Sequence, residues 1–116
     1  MIIYQMKIKT KPYKSDEFRS NMRSLLPNIR KQMGCLGFSL NRDSEMDNTC
    51  SLIGEWQTRK AMEKHFGTHD FQVLIGAARV LGETFTFTIA EVLKTGGFEL
   101  VREKIAQKGV KHQNAG

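Results

Sequence analysis

From Ile2 to Thr10 apolar and polar side chains alternate, with Ile2, Tyr4, Met6 and Ile8 on one side and Gln5, Lys7 and Lys9 on the other. A period of two predicts a strand with one buried face, and Pro12 ends it. Ser15 is placed to cap a helix on which Phe18, Met22, Leu25, Leu26, Ile29 and Met33 form one apolar stripe. Pro27 costs about 3 kcal/mol inside a helix. It falls on the polar side, which predicts a bend convex to solvent within a single helix. Gly34 and Gly37 then bracket a restart, and Leu36, Phe38 and Leu40 alternate with Gly37, Ser39 and Asn41 as a second strand. The polar turn Asp43-Ser44-Glu45-Met46-Asp47-Asn48 joins it to a third strand, Thr49 to Gln57, and the two form a hairpin.

At Thr58 the period changes. Ala61, Met62, His65 and Phe66 follow helical spacing, with Thr58 as N-cap. Gly67 breaks that helix, and Thr68 caps a second piece carrying Phe71, Leu74, Ile75 and Ala78, closed by Gly82. Thr84 to Leu93 alternates aromatic and β-branched residues and reads as a strand acceptable on both faces within a buried sheet. After Gly96-Gly97, the positions of Phe98, Leu100, Val101 and Ile105 predict one more amphipathic helix. The tail from Lys108 is polar and expected to be mobile. The order β-α-β-β-α-β is that of an α+β, ferredoxin-like domain, residues 1–95, followed by a C-terminal helix and polar tail, residues 96–116. Helices would cover one sheet face. The other face carries apolar groups such as Ile53, and a second copy of the sheet is the simplest cover, with Thr84–Leu93 central to the contact.

Composition adds little to this picture. Hydrophobic residues make up 40% and charged residues 26% of 116, ordinary for one soluble globular domain. No apolar run nears the ~20 residues of a membrane helix, and Met1 to Met6 is too short for a signal peptide. The expected location is the cytoplasm. The net charge of +6 is uneven: residues 1–34 carry eight Lys/Arg against two acids, 94–116 five against two, and 35–93 five against eight. A basic rim can attract anions or nucleic acid, and a scattered solvated surface explains it as well. In the hairpin, Cys50 falls opposite Arg42, roughly 23 Å along the strand from Cys35, beyond disulfide reach.

Candidate chemistry gathers in Leu52 to Phe66. Trp56, the only Trp, ends a strand, and His65 lies on the inward face of the helix that follows. Trp56 either fills the core or lines a cleft with His65. His65 is either a proton partner or a helix-surface histidine bonded to Glu55 or Glu63. His65 and His69 have the i, i+4 spacing of metal ligands, but Gly67 and Thr68 intervene and no third ligand adjoins, so no metal is expected. Cys35 has no evident histidine partner, and Gly34-Cys35-Leu36-Gly37 lacks the spacing and the Lys of a phosphate loop. Phe85 and Phe87 have base-stacking spacing without the flanking basic-glycine-aromatic signature, which leaves RNA binding a minor alternative.

Gly34-Cys35-Leu36-Gly37-Phe38, Glu55-Trp56, Ala61-Met62, His65-Phe66 and Phe71 together resemble the antibiotic-biosynthesis-monooxygenase-like (ABM) domain. The resemblance covers roughly residues 1–93. It implies a dimeric α+β barrel, with sheets packed face to face and a ligand cleft between sheet and helices in each subunit. Similar proteins include cofactor-independent oxygenases of polyphenols and quinols, whose aromatic substrate itself reacts with oxygen. On that pattern Trp56 and His65 are the catalytic candidates, Phe38, Leu52, Phe66 and Phe71 line the cleft, and neither cofactor nor metal is expected. A non-catalytic ligand-binding relative is the alternative. Haem-degrading members look to use an Asn in the first strand, a Trp on the helix and a later histidine. Here the first strand has no Asn, the helix position is His65, and the ligating position falls at Ile75.

Overall fold

The computed structural model describes the backbone of residues 1–115 and the side chains of residues 1–107. Its elements run β1 (Ile2–Thr10), α1 (Ser15–Arg30), β2 (Cys35–Arg42), β3 (Thr49–Trp56), α2 (Arg59–Phe66), α3 (His69–Leu81), β4 (Gly82–Glu91) and α4 (Phe98–Ala115). The four strands form one antiparallel sheet in the order β2-β3-β1-β4, the ferredoxin-like topology. Residues directly opposite in such a sheet point to the same side. Ile2, Tyr4, Met6 and Ile8 therefore share a face with their β3 partners Trp56, Gly54, Leu52 and Cys50, and this face is buried. Phe18, Met22, Leu26 and Ile29 of α1 with Leu74, Ala78 and Leu81 of α3 complete the core above it.

Most local expectations hold. The Thr58 hydroxyl accepts from the Ala61 N–H at 3.1 Å and the Thr68 hydroxyl from Phe71 N–H at 3.2 Å, so both short helices begin where a hydroxyl can satisfy open amides. Pro27 is exposed and α1 is continuous through it. Arg42 pairs with Cys50 and Cys35 with Trp56, and both cysteines are free thiols. Gly34 turns the chain into β2 with φ +82°, and a Cβ there would meet the Ala61 Cβ at 2.5 Å, so both the turn and the approach of α2 require glycine.

Several expectations fail for identifiable reasons. Ser15 does not cap α1. It is the first helical residue, and its hydroxyl bonds instead to Thr10 and to Asn48 Oδ1 at 2.9 Å, tying the β1–α1 corner to the hairpin turn. Met33 is exposed beyond the end of α1, and Leu36 is exposed because the β2–β3 register shifts between Cys35 and Gly37. β4 is not enclosed by two neighbours. It is an edge strand paired with β1 among the described residues, and Phe85, Phe87 and Ile89 are 38–48% exposed. Alternation reports the face of a strand but not its place in the sheet. On α4, Phe98, Val101 and Ile105 are exposed. The helix backbone continues through the expected tail from Lys108, whose side chains lie outside the described residues. No described helix is long and apolar enough to cross a membrane.

Candidate functional site

The helix-covered face holds a buried imidazole among aromatic rings. His65 is 1% exposed, and its imidazole lies between Trp56 (ring centroids 4.5 Å, interplanar angle 29°) and Tyr4 (5.6 Å, 23°). The Tyr4 hydroxyl lies 2.6 Å from Nε2, and Gln32 Oε1 lies 2.7 Å from Nδ1. The Gln32 carbonyl can only accept, so Nδ1 carries the hydrogen and Nε2 accepts from Tyr4. Burial pushes the imidazole down to about 4, partly opposed by Asp70, so the ring is neutral at physiological pH. Burial raises the Tyr4 hydroxyl far above the usual phenol range, with Cys35 adding to the effect. The Tyr4–His65–Gln32 chain is therefore a neutral, directed hydrogen-bond series in a low-polarity shell.

Phe38, Phe66 and Phe71 complete that shell at 6.0, 5.9 and 5.2 Å from the His65 ring. Phe71 is also part of a groove of about 420 Å³ between α3 and β4, lined by Phe71, Ile75, Ala78, Arg79, Phe85 and Phe87. Its walls are apolar, and Arg79 supplies the one cationic group. Phe87 links groove and shell, with its ring 5.5 Å from Tyr4 and 5.7 Å from Phe66.

Of the six residues singled out from the sequence, His65, Trp56, Phe38, Phe66 and Phe71 meet around one imidazole. Leu52 is fully buried opposite Met6 in the sheet core. Only Phe71 reaches the groove. Trp56 is fully buried, and its Nε1 has no partner among the described residues. A Cβ on Gly54 would stand 2.9 Å from that nitrogen and 3.0 Å from the Phe38 ring, so glycine is what admits both rings over β3. His65 is bonded to Tyr4 and Gln32, not to Glu55 or Glu63. Tyr4, Gln32, Phe87 and Arg79 were not foreseen as site residues. A hydroxyl-bearing Tyr4 in an otherwise apolar inward stripe was the available signal, and Gln32 carried none. His69 is exposed beyond the α2–α3 break, and no cluster of three or more His, Cys, Asp or Glu able to hold a metal occurs among the described residues.

A sequence profile described as "Antibiotic biosynthesis monooxygenase" matches residues 1–76. The Bacillus subtilis (strain 168) protein named "Putative monooxygenase YcnE" is 32% identical over 81 residues, which span 70% of this chain and 85% of that protein. A crystal structure of an antibiotic biosynthesis monooxygenase superposes with TM-score 0.73 at 22% identity, covering 81% of this chain and 100% of that one. Rv0793 from Mycobacterium tuberculosis superposes with TM-score 0.76 at 14% identity, covering 83% and 98%. At those identities the two structures speak for the fold alone.

Proposed function

Because the chain belongs to the antibiotic biosynthesis monooxygenase family, we propose that it is a cofactor-independent monooxygenase that takes a small quinol- or polyphenol-like aromatic into the α3–β4 groove. The observation that carries this reading is the Tyr4–His65–Gln32 chain set directly behind an aromatic-walled groove. Phe71, Phe85 and Phe87 offer ring faces to a flat substrate, and Arg79 can hold a phenolate at the rim. Chemistry in which the substrate itself donates electrons to oxygen needs the substrate to lose a proton. A substrate hydroxyl brought to Tyr4 would pass its proton to the phenol oxygen as Tyr4 passes its own to His65 Nε2. The two transfers occur together, because burial disfavours the Tyr4 anion, and the imidazolium that burial also disfavours forms only beside the substrate phenolate whose charge offsets it. Tyr4 is the group that meets substrate, His65 the acceptor behind it, and Trp56 the ring that fixes the imidazole. Tyr4 is fully buried, so entry requires Phe66 or Phe87 to swing aside.

The two unpaired cysteines favour the reducing cytoplasm as the working compartment. A homodimer, with a second sheet over the face that carries Ile3 and Ile53, belongs to the same proposal.

One observation favours a second reading, that of a ligand-binding relative without turnover. His65 is almost wholly enclosed, and both of its ring nitrogens are engaged within the protein. Oxygen consumption with a panel of quinols and catechols, run beside equilibrium binding of the same compounds, separates the two. Turnover supports the monooxygenase, whereas binding without turnover leaves the binding protein.

A further inference from the structure

The sheet edge opposite the α3–β4 groove carries a different kind of concavity. Between α1 and β2 lies a cleft of about 310 Å³ lined by Arg19, Arg23, Arg30, Arg42 and Ser39, with Leu26 and Leu40 at its floor. Positions 19, 23 and 30 fall within ~40° of one another on a helix of 3.6 residues per turn, so three guanidinium groups share one stripe of α1. Arg42 at the end of β2 faces them across the cleft.

Two of the four are fixed. Arg30 Nε donates to the Phe38 carbonyl oxygen at 2.9 Å, its other N–H groups have no partner among the described residues, and Arg19 is paired with Asp16 with its side chain 15% exposed. Neither Arg23 nor Arg42 has a hydrogen-bond or ion-pair partner among the described residues.

Guarding the exposed β2 edge accounts for one arginine, and Arg30 already fills that role. Four like charges in one concavity against a single paired carboxylate repel one another, and a bound anion relieves that repulsion. Guanidinium forks match phosphate oxygens in pairs. Arg19 to Arg30 spans about 16 Å of helix at 1.5 Å per residue, too long for one orthophosphate to engage. The basic strip is also short. Asp16 and Glu17 bound it at one end, and Asp43, Glu45 and Asp47 follow Arg42 at the other, so it offers no continuing track for a polynucleotide backbone.

We propose that this cleft binds a small molecule carrying two or more phosphate groups, from a nucleotide or a bisphosphorylated sugar. The site is independent of the α3–β4 groove, which lies at the β4 edge of the sheet.

Titration calorimetry on the full chain in metal-free buffer at about 0.1 M salt tests the proposal. The probes are pyrophosphate, ATP, fructose 1,6-bisphosphate and a single-stranded DNA oligonucleotide. The variant Arg23→Gln/Arg42→Gln removes the two unpartnered cations, and Lys60→Gln/Lys64→Gln on α2 removes equal charge elsewhere. Binding of at least one small phosphate is expected, weakened about tenfold or more in the arginine variant and less than about twofold in the lysine control. Stronger binding of ATP or of the bisphosphate than of pyrophosphate identifies which source the cleft prefers. If the double variant melts early, Arg42→Gln alone should still weaken binding about threefold or more. No heat from any small phosphate at 10 mM, equal weakening in the lysine control, or binding of the oligonucleotide alone overturns the proposal.

Discussion

The buried imidazole makes acid stability a direct test of the site's electrostatics. His65 sits at about 4 in the folded chain against an ordinary 6.5. The unfolded chain therefore binds a proton that the folded chain refuses between these values, and stability falls as pH drops through that window. At about 1.36 kcal/mol per pH unit the gap amounts to about 3 kcal/mol. An unfolding entropy of about 2.1 cal/mol/K per residue makes each kcal/mol worth about 4 °C in a chain of this size. The wild type should thus lose about 12 °C of Tm between pH 6.5 and 4 beyond what its carboxylates cause. His65→Gln cannot titrate there, and it shares every carboxylate. The assay is thermal denaturation followed by circular dichroism at half-unit steps from pH 8.5 to 4. Wild type should fall more steeply than the variant below pH 7, with the two curves parallel above pH 7. Parallel curves throughout would refute the neutral, desolvated imidazole.

Three further outcomes follow from the packing. Trp56→Ala should cost about 3–5 kcal/mol in chemical denaturation, because the ring is fully buried against His65; a loss under 1 kcal/mol would mean that the site collapses around the deletion. Gly54→Ala should destabilise by about 1–3 kcal/mol, since its methyl meets Trp56 and Phe38 at about 3 Å, and a neutral result would show that these rings are free to shift. Light scattering at micromolar concentration should give twice the chain mass, and a monomer would remove the face-to-face sheets from the proposal.

Much of the fold was legible because its signals are local. The alternation from Ile2 to Ile8, the hydroxyl caps at Thr58 and Thr68, and the hairpin register that sets Cys50 against Arg42 each depend on neighbours within a few residues. The site was legible only in part. Trp56 and His65 are close in sequence, and their contact was foreseeable, but the bonds that orient the imidazole come from Tyr4 and Gln32, 61 and 33 residues away. Helical period placed His65 inward without saying whether an inward group meets a cavity or the core. The same gap explains β4: Phe85 and Phe87 read as core, yet they wall an open groove because β4 lies at the sheet edge and α3 does not cover them.

Tyr4→Phe isolates the relay of a substrate proton from Tyr4 to His65, because it removes one oxygen atom while keeping the ring. Oxygen uptake with the best quinol or catechol should fall about 10²–10⁴-fold in Tyr4→Phe, with binding of that compound changed less than about threefold. Uptake in Tyr4→Phe equal to wild type, or no uptake by the wild type with any compound that binds, would rule out the relay.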